Sequence, residues 1–224
     1  MDIQVWMTRL NRDDSIKAIG TVKFGEISVR NMTLMKNENG QLFLCMPSRD
    51  TGKKDEEGKR IFEEIIHPTT AEMRSALNAG AIESYEKNCP VSLRDGLDGT
   101  LLIEAKAFDR PYFNRVGKAQ ILINDEFVIK NIFINEGKNS SLYVTMPNFK
   151  AKDTHDGHAV YKEIVTMNGD LKKKISEAVI SEYKKDLAAK DKNRFSIKSR
   201  IEEAKRQASL QTPVHKEHVK EAVL

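Results

Sequence analysis

The sequence predicts an α+β protein of two tandem repeats, each an antiparallel β-meander covered by a C-terminal helix, with a helical C-terminal tail after the second repeat. Residues 41–47, Gln-Leu-Phe-Leu-Cys-Met-Pro, return as residues 141–147, Ser-Leu-Tyr-Val-Thr-Met-Pro. Residues 26–34 match residues 126–134 at the same offset of 100, and the acid, the base, the Asn and the apolar alternation are kept. Self-similarity at a fixed offset indicates an internal duplication, which determines the fold.

The duplication also divides the chain. We predict a first repeat at residues 1–87, a linker rich in turn residues at 88–101, a second repeat at 102–187 and a basic helical tail at 188–224. A length of 224 residues suits two domains of this size.

In the first repeat, alternation of apolar and polar residues predicts strands at residues 4–10, 17–24, 27–35 and 42–46. Asn39-Gly40 predicts a hairpin turn before the fourth strand. Residues 48–60 are so highly charged that we predict a loop, followed by a short apolar segment. Thr69 with Glu72 three residues later predicts a helix start. The four-residue spacing of apolar side chains then predicts a helix that covers the sheet, with Tyr85 and also Trp6 in the core.

The second repeat follows the same plan. We predict strands near residues 102–108, 116–123, 127–134 and 142–146, then a charged loop, then a helix that begins near residues 168–170. Apolar residues spaced by four extend this helix to Leu187. Phe195, Ile197 and Ile201, which lie among basic residues, predict one more basic helix in the tail.

The composition bounds the class of protein. The chain is 39% hydrophobic and 31% charged, as in globular proteins, and lacks both a signal peptide and an apolar run of about 18 residues. We therefore expect a soluble, cytoplasmic protein that does not interact with membranes. Two cysteines, Cys45 and Cys89, make neither a disulfide framework nor a metal set.

The sequence contains none of the common catalytic motifs. It has no phosphate-binding Gly-Lys-Ser loop, no nucleophile elbow and no paired Cys-x-x-Cys. Residues 155–158, His-Asp-Gly-His, offer too few ligands for a metal site. We predict no enzyme activity, no catalytic residue, no cofactor and no metal.

Positive charge is concentrated in the second half. Residues 1–87 hold 13 basic and 14 acidic residues, whereas residues 102–185 hold 14 and 11, and residues 186–224 hold 9 and 6. An anionic partner should therefore approach the second half.

The candidate nucleic-acid-binding residues are cations in the charged loops and at the second helix start. They are Arg49, Lys53, Lys54, Lys59 and Arg60 in the first loop, Lys150, Lys152 and Lys162 in its counterpart, and Lys172, Lys173 and Lys174 in the helix. Such side chains can neutralise phosphates without reading sequence. The alternative is a solvated loop, which the acidic run of residues 55–57 favours in the first repeat.

The first repeat resembles, over nearly its whole length, the SpoVG family (stage V sporulation protein G, the septation proteins). The resemblance is carried by residues 46–49, Met-Pro-Ser-Arg, by Phe62, by Ile65 and by His67-Pro68, in the order strand, charged loop, apolar segment, helix. In the second repeat, Met146-Pro147 and residues 161–164 keep it. The resemblance implies a small bacterial regulator that binds DNA or RNA and forms homodimers, so two fused copies should form a pseudo-dimer within one chain.

Two departures from the family pattern divide the roles of the repeats. The family usually has a basic residue after the aromatic at Phe62, where this chain has Glu63, while the second repeat keeps Lys162. The second repeat replaces His67-Pro68 with Thr166-Met167. The nucleic-acid face is therefore expected mainly in the second repeat.

Two functions remain open at this point. The first is a non-enzymatic bacterial or mobile-element regulator that binds DNA or RNA through the second repeat and the tail. The second is a protein–protein interaction module, an inhibitor or assembly factor, that keeps the fold without binding nucleic acid. In either case the tail helix is a candidate for packing or further self-association.

Overall fold

The computed structural model of the protein describes residues 2–11, 14–94, 99–155 and 158–210. The chain up to Lys184 forms one compact unit, and the described residues from Lys185 onward form another. The first unit contains both repeats and confirms the predicted α+β class and tandem arrangement. Among the described residues, no helix is long and apolar enough to cross a membrane.

The first repeat opens with four antiparallel strands in chain order. They are β1 (Ile3–Arg9), β2 (Ile16–Phe24), β3 (Ile27–Lys36) and β4 (Leu42–Cys45). Alternate side chains such as Val5, Val22 and Val29 are fully buried on one face of this sheet. Trp6 lies on the other face and is 57% exposed, so its predicted place in the core is wrong.

The predicted charged loop of the first repeat is a β-hairpin. Its strands are β5 (Ser48–Lys54) and β6 (Arg60–Glu64). Gly58 has a φ of +81°, and the Asp55 carboxylate accepts hydrogen bonds from the backbone N–H groups of Glu57 and Lys59, which closes the turn. Backbone pairing needs no apolar side chains, so the charge pattern did not reveal these strands.

A short strand β7 (Ile66–Pro68) leads to helix α1 (Ala71–Lys87), which is followed by β8 (Val91–Arg94) on the edge of the first sheet. The N-cap of α1 is Thr70, whose hydroxyl accepts a hydrogen bond from Met73 N. Thr69, the predicted cap, instead donates to the carbonyl of Asp125. The predicted capping residue is thus wrong by one position, because Thr69 is held by the second repeat.

The second repeat contains the first seven strands and the helix in the same order, with a short 3-10 helix (Lys138–Ser140) added before its fourth strand. Its strands are β9 (Leu101–Tyr112), β10 (Arg115–Ile123), β11 (Phe127–Glu136), β12 (Leu142–Thr145), β13 (Asn148–His155), β14 (His158–Glu163) and β15 (Val165–Thr166). The first four form the second antiparallel sheet, and β13 and β14 form a second hairpin. The predicted loop is again a hairpin.

A single helix, α2 (Gly169–Leu210), ends the described chain. The apolar pattern predicted two helices here, but residues 170–210 contain neither Gly nor Pro to separate them. In the second unit, Phe195, Ile197 and Ile201 are exposed. The predicted tail beyond residue 210 lies outside the described residues.

The two repeats exchange their short strands. β7 of the first repeat pairs with β11, and β15 of the second repeat pairs with β3. Matching backbone hydrogen bonds flank the exchange, from Lys130 N to Ile65 O (2.7 Å) and from Arg30 N to Ile164 O (2.8 Å). Each sheet therefore contains a strand of the other repeat, and one chain forms the pseudo-dimer.

The Asn that recurs in both repeats has a conformational reason. Asn31 and Asn131 have φ values of 64° and 62°, and each lies where the pairing register shifts between neighbouring strands. Asn tolerates this left-handed conformation better than most residues. The bulge in each sheet lies next to the exchanged strand, so the duplication preserved a feature of the pairing.

Candidate nucleic-acid interface

The first hairpin places its predicted cations among acids. The Arg60 guanidinium lies 3.2 Å from a carboxylate oxygen of Asp50, and the Lys59 ammonium lies 2.6 Å from one of Glu57. Lys53 and Lys54 are exposed on β5. Since local carboxylates partly neutralise this hairpin, it offers a weak electrostatic surface to phosphate.

Arg49 turns away from that surface. It is half-buried, and its guanidinium carbon lies 5.4 Å from the ring centroid of Phe133 on the second sheet. A cation over an aromatic face is a favourable arrangement. The structure therefore separates Arg49 from the other four cations of the first hairpin.

The second hairpin differs from the first at matching positions. Lys150 on β13 is directly opposite Tyr161 on β14, and both side chains are exposed. In the first hairpin the same positions hold Asp50 and Phe62. Lys162 is also exposed. The second hairpin thus carries a cation opposite its aromatic ring, where the first carries an acid.

For three residues of this hairpin that the sequence singled out, the structure describes the backbone but not the side chain. The backbone of Lys152 lies in β13, but its side chain lies outside the described residues. The side chains of His155 and His158, for which the sequence predicts no metal site, also lie outside the described residues.

The three lysines at the start of α2 do not act as one group. The Lys172 ammonium lies 2.6 Å from a carboxylate oxygen of Glu163, at the end of the second hairpin. Lys173 and Lys174 are exposed. The Lys172 contact fixes the helix start against the hairpin, which gives that lysine a structural role.

Exposed aromatic side chains are a feature of the surface that the sequence pattern did not predict. Phe62 is 59% exposed and Tyr161 is 64% exposed, one on each hairpin. Tyr112 and Phe113 project at the turn between β9 and β10, with ring centroids 4.6 Å apart, and Phe113 is 86% exposed. Their neighbours Arg110 and Arg115 were the available signal, because aromatic residues between bases are typical of nucleic-acid surfaces.

The outer face of the second sheet carries further cations. Lys106, Lys118 and Lys130 lie there on three neighbouring strands, beside Arg49. The sequence shows each of them only as a polar residue of an alternating strand, so their convergence depends on the register of the sheet.

Three groups near the exchanged strands have shifted pKa values. Burial, followed by the positive charge of Lys130, lowers the pKa of His67. A pair of hydrogen bonds to the Glu64 carboxylate, at 2.8 and 3.2 Å, raises the pKa of Arg74. Burial raises the pKa of the Cys45 thiol, which is therefore a weak nucleophile.

Comparison with known proteins gives matches to one family. The SpoVG family model matches residues 1–87 and 109–185. The putative septation protein SpoVG of Thermoanaerobacter sp. (strain X514) is 34% identical over 84 residues, which cover 37% of this chain and 84% of that protein. The protein of the same name from Caldanaerobacter subterraneus subsp. tengcongensis is 36% identical over 84 residues, which cover 37% of this chain and 85% of that protein. No solved structure gives a significant match.

Proposed function

The chain belongs to the SpoVG family, and from this premise we propose that it is a non-enzymatic regulatory protein that binds DNA or RNA. The second hairpin, β13–β14, supplies the main contact. The observation that carries the proposal is the exposed cross-strand pair of Lys150 and Tyr161, on a hairpin that also exposes Lys162.

The chemistry of these side chains suits a nucleic-acid strand. A lysine ammonium neutralises a backbone phosphate and releases a counterion, which gives affinity that falls as salt rises. An exposed aromatic ring stacks on an unpaired base, which adds affinity for single strands. The basic excess of residues 102–185 attracts the partner to this half of the molecule.

A protein partner is the second candidate, and the first hairpin favours it. Ile61 and Phe62 are exposed there, and the cations Lys59 and Arg60 form ion pairs with acids of the same hairpin. An exposed apolar pair with balanced charge suits a protein surface better than a phosphate backbone.

The test is binding of the full chain to labelled duplex DNA, single-stranded DNA and RNA across a salt series. We expect affinity to fall steeply with salt, and the double variant Lys150→Glu, Lys162→Glu to lose about tenfold or more in affinity. The matched control is Lys53→Glu, Lys54→Glu, which makes the same change of charge on the first hairpin and should lose less.

A third variant separates stacking from charge. Tyr161→Ala should weaken binding to single strands more than to duplex, because only unpaired bases stack on the ring. The proposal fails if no nucleic acid binds at low salt, or if both double variants lose affinity equally. Failure to bind at low salt would favour the protein-partner candidate.

A further inference from the structure

A row of two lysines and one phenylalanine crosses the outer face of the second sheet. Lys118 on β10 is directly opposite Lys106 on β9 and, on its other side, Phe133 on β11. Like charges directly opposite on neighbouring strands repel each other and weaken a sheet. The row therefore holds two positive charges together at a cost in stability that an anion would remove.

Buried hydrogen-bond donors lie beside this row. Arg49 reaches it from the first hairpin, and Nε of Arg49 and Nδ2 of Asn131 are buried side-chain atoms with no hydrogen-bond partner. Arg115 also lies against Phe133, with its guanidinium carbon 4.2 Å from the ring centroid. Buried polar groups in native proteins almost always have partners, so both donors need an acceptor, which a bound molecule or an ordered water supplies.

One cleft of about 430 Å³ is lined by the row of Lys106, Lys118 and Phe133 and by Arg49 and Asn131. Four cations face it, from Arg49, Lys106, Lys118 and Lys130, together with the rings of Phe108 and Phe133. Two carboxylates also line the cleft, but Glu63 lies 3.9 Å from the Lys130 ammonium and Glu104 accepts a hydrogen bond of 2.7 Å from Gln120. The cleft thus has an excess of positive charge.

The cleft is specific to one half of the pseudo-dimer. At the offset of 100, Thr33 stands where the second sheet has Phe133, and Phe149 stands where the first hairpin has Arg49. At these two positions the first sheet has no counterpart of the Phe133 ring, and the second hairpin has none of the Arg49 guanidinium. The two repeats therefore differ at positions that line this cleft.

We propose that this cleft is a binding site for a nucleotide, held by its phosphate. The phosphate oxygens accept hydrogen bonds from Arg49 and Asn131 and neutralise the opposed ammonium groups of Lys106 and Lys118. The cleft has the size of ordinary small-molecule sites, and inorganic phosphate alone would leave most of it unfilled.

The cleft does not depend on the hairpin interface proposed above, because Lys150, Tyr161 and Lys162 do not line it. Its nucleotide has two sources with the same chemistry, a free mononucleotide or one nucleotide of a longer strand. The experiment below distinguishes them.

The test is calorimetric titration of the full chain with ADP, GMP, inorganic phosphate, adenosine and a short oligothymidylate. We expect a nucleotide to bind, adenosine not to bind, and inorganic phosphate to bind more weakly than the nucleotide. The titrations are repeated with the hairpin variant Lys150→Glu, Lys162→Glu, so that a strand held by the second hairpin is not counted. In that variant, binding of the mononucleotides supports a free nucleotide as ligand, whereas binding of oligothymidylate alone supports the same site with a strand as the source.

The decisive variant is Lys106→Gln, Lys118→Gln, with Lys17→Gln, Lys23→Gln on the first sheet as the matched control. The cleft variant should weaken nucleotide binding about tenfold or more, yet its melting temperature without ligand should rise, because the repulsion between the two ammonium groups is removed. A purely structural role of the lysines predicts no loss of binding.

The proposal is overturned if none of the phosphate-bearing probes binds at millimolar concentration, if adenosine binds as tightly as ADP, or if the cleft variant binds nucleotide as well as the control does. Nucleotide binding that survives Lys150→Glu, Lys162→Glu would show that this site is independent of the hairpin interface. The failure of one proposal can therefore be distinguished from the failure of the other.

Discussion

The rings of Phe24 and Phe127 meet across the two repeats, with their centroids 4.4 Å apart and their planes inclined at 56°. Phe24 ends β2 in the first sheet, and Phe127 begins β11 in the second, where it is also opposite Pro68 of the exchanged strand β7. Both rings are almost fully buried. The two repeats therefore share one core instead of keeping a core each.

Phe127→Ala should lower the free energy of unfolding by about 3–5 kcal/mol, since it removes a buried ring and leaves a cavity. Urea denaturation followed by circular dichroism measures this loss. Because the core is shared, we expect the described unit up to Lys184 to unfold in one transition that shifts as a whole. Phe62→Ala is the matched control, as Phe62 is mostly exposed and should change stability little. Two transitions, of which only one moves, would contradict a shared core.

Gly20→Ala should destabilise the first sheet by about 1–3 kcal/mol. A Cβ at Gly20 would overlap the sulfur of Met7 and the backbone oxygen of Trp6, and the backbone cannot yield as a side chain can. Thermal unfolding measures the effect. Gly169→Ala is the control, because nothing lies within 4 Å of its added Cβ. Equal melting temperatures for the two variants would show that β1 and β2 are less closely paired than described.

Ser84→Ala should cost about 1–3 kcal/mol, because it leaves two backbone groups without partners. The buried Ser84 hydroxyl accepts a hydrogen bond from Met7 N (3.0 Å) and donates one to Cys89 O (2.7 Å). These bonds connect α1 to β1 and to the segment before β8. Ser176→Ala is the control, since the Ser176 hydroxyl donates only to Lys172 O within its own helix. Denaturation curves of the two variants that coincide would contradict this role.

His67→Gln should reduce the loss of stability on acidification. The pKa of His67 is lowered in the folded protein, by burial first and then by Lys130, so the unfolded chain binds the proton more readily. Stability that depends on His67 is therefore fully present above the ordinary pKa of 6.5 and is lost as the pH falls below it. Melting temperatures at pH 7.5 and 5.5 should differ more in the native protein than in the variant. The same difference in melting temperature between the two pH values in both proteins would show that protonation of His67 does not affect β7.

The meanders and the first helix were predictable because their signals are local. Side chains alternate in and out along β1 to β3, as they must in a sheet with one covered face, and Met73, Leu77 and Ala81 repeat at helical spacing. The duplication then predicted the second copy. The family resemblance rested on residues at the hairpin and the exchanged strand, and the comparisons confirm it.

The exchange of strands was not predictable because it depends on distant pairing. Ile66–Pro68 is too short to show a period, and its partner β11 lies in the other repeat. The position of Thr69 shows the same limit, because a contact with Asp125 decides which of two threonines caps the helix. Local patterns cannot distinguish Thr69 from Thr70.

The candidate site was predictable only in part, for a related reason. The predicted bases lie in highly charged stretches of the sequence. In the structure some form ion pairs, some are exposed, and Arg49 lies against the sheet face. The convergence of Lys106, Lys118 and Lys130 was not predicted because 24 positions separate the first of them from the last. Only the register of the strands brings them together.

The reciprocal exchange of β7 and β15 changes the order of the assembly reaction. In two separate chains, swapped strands form a bimolecular complex whose population falls on dilution, whereas here both partners belong to one polypeptide and meet at a fixed effective concentration. The paired state is therefore independent of protein concentration. In a homodimer the two halves must have the same sequence, whereas in one chain they can differ. Arg49 and Phe133 can therefore be kept in one half alone. The molecule can then present one cleft of this kind where a homodimer would present two.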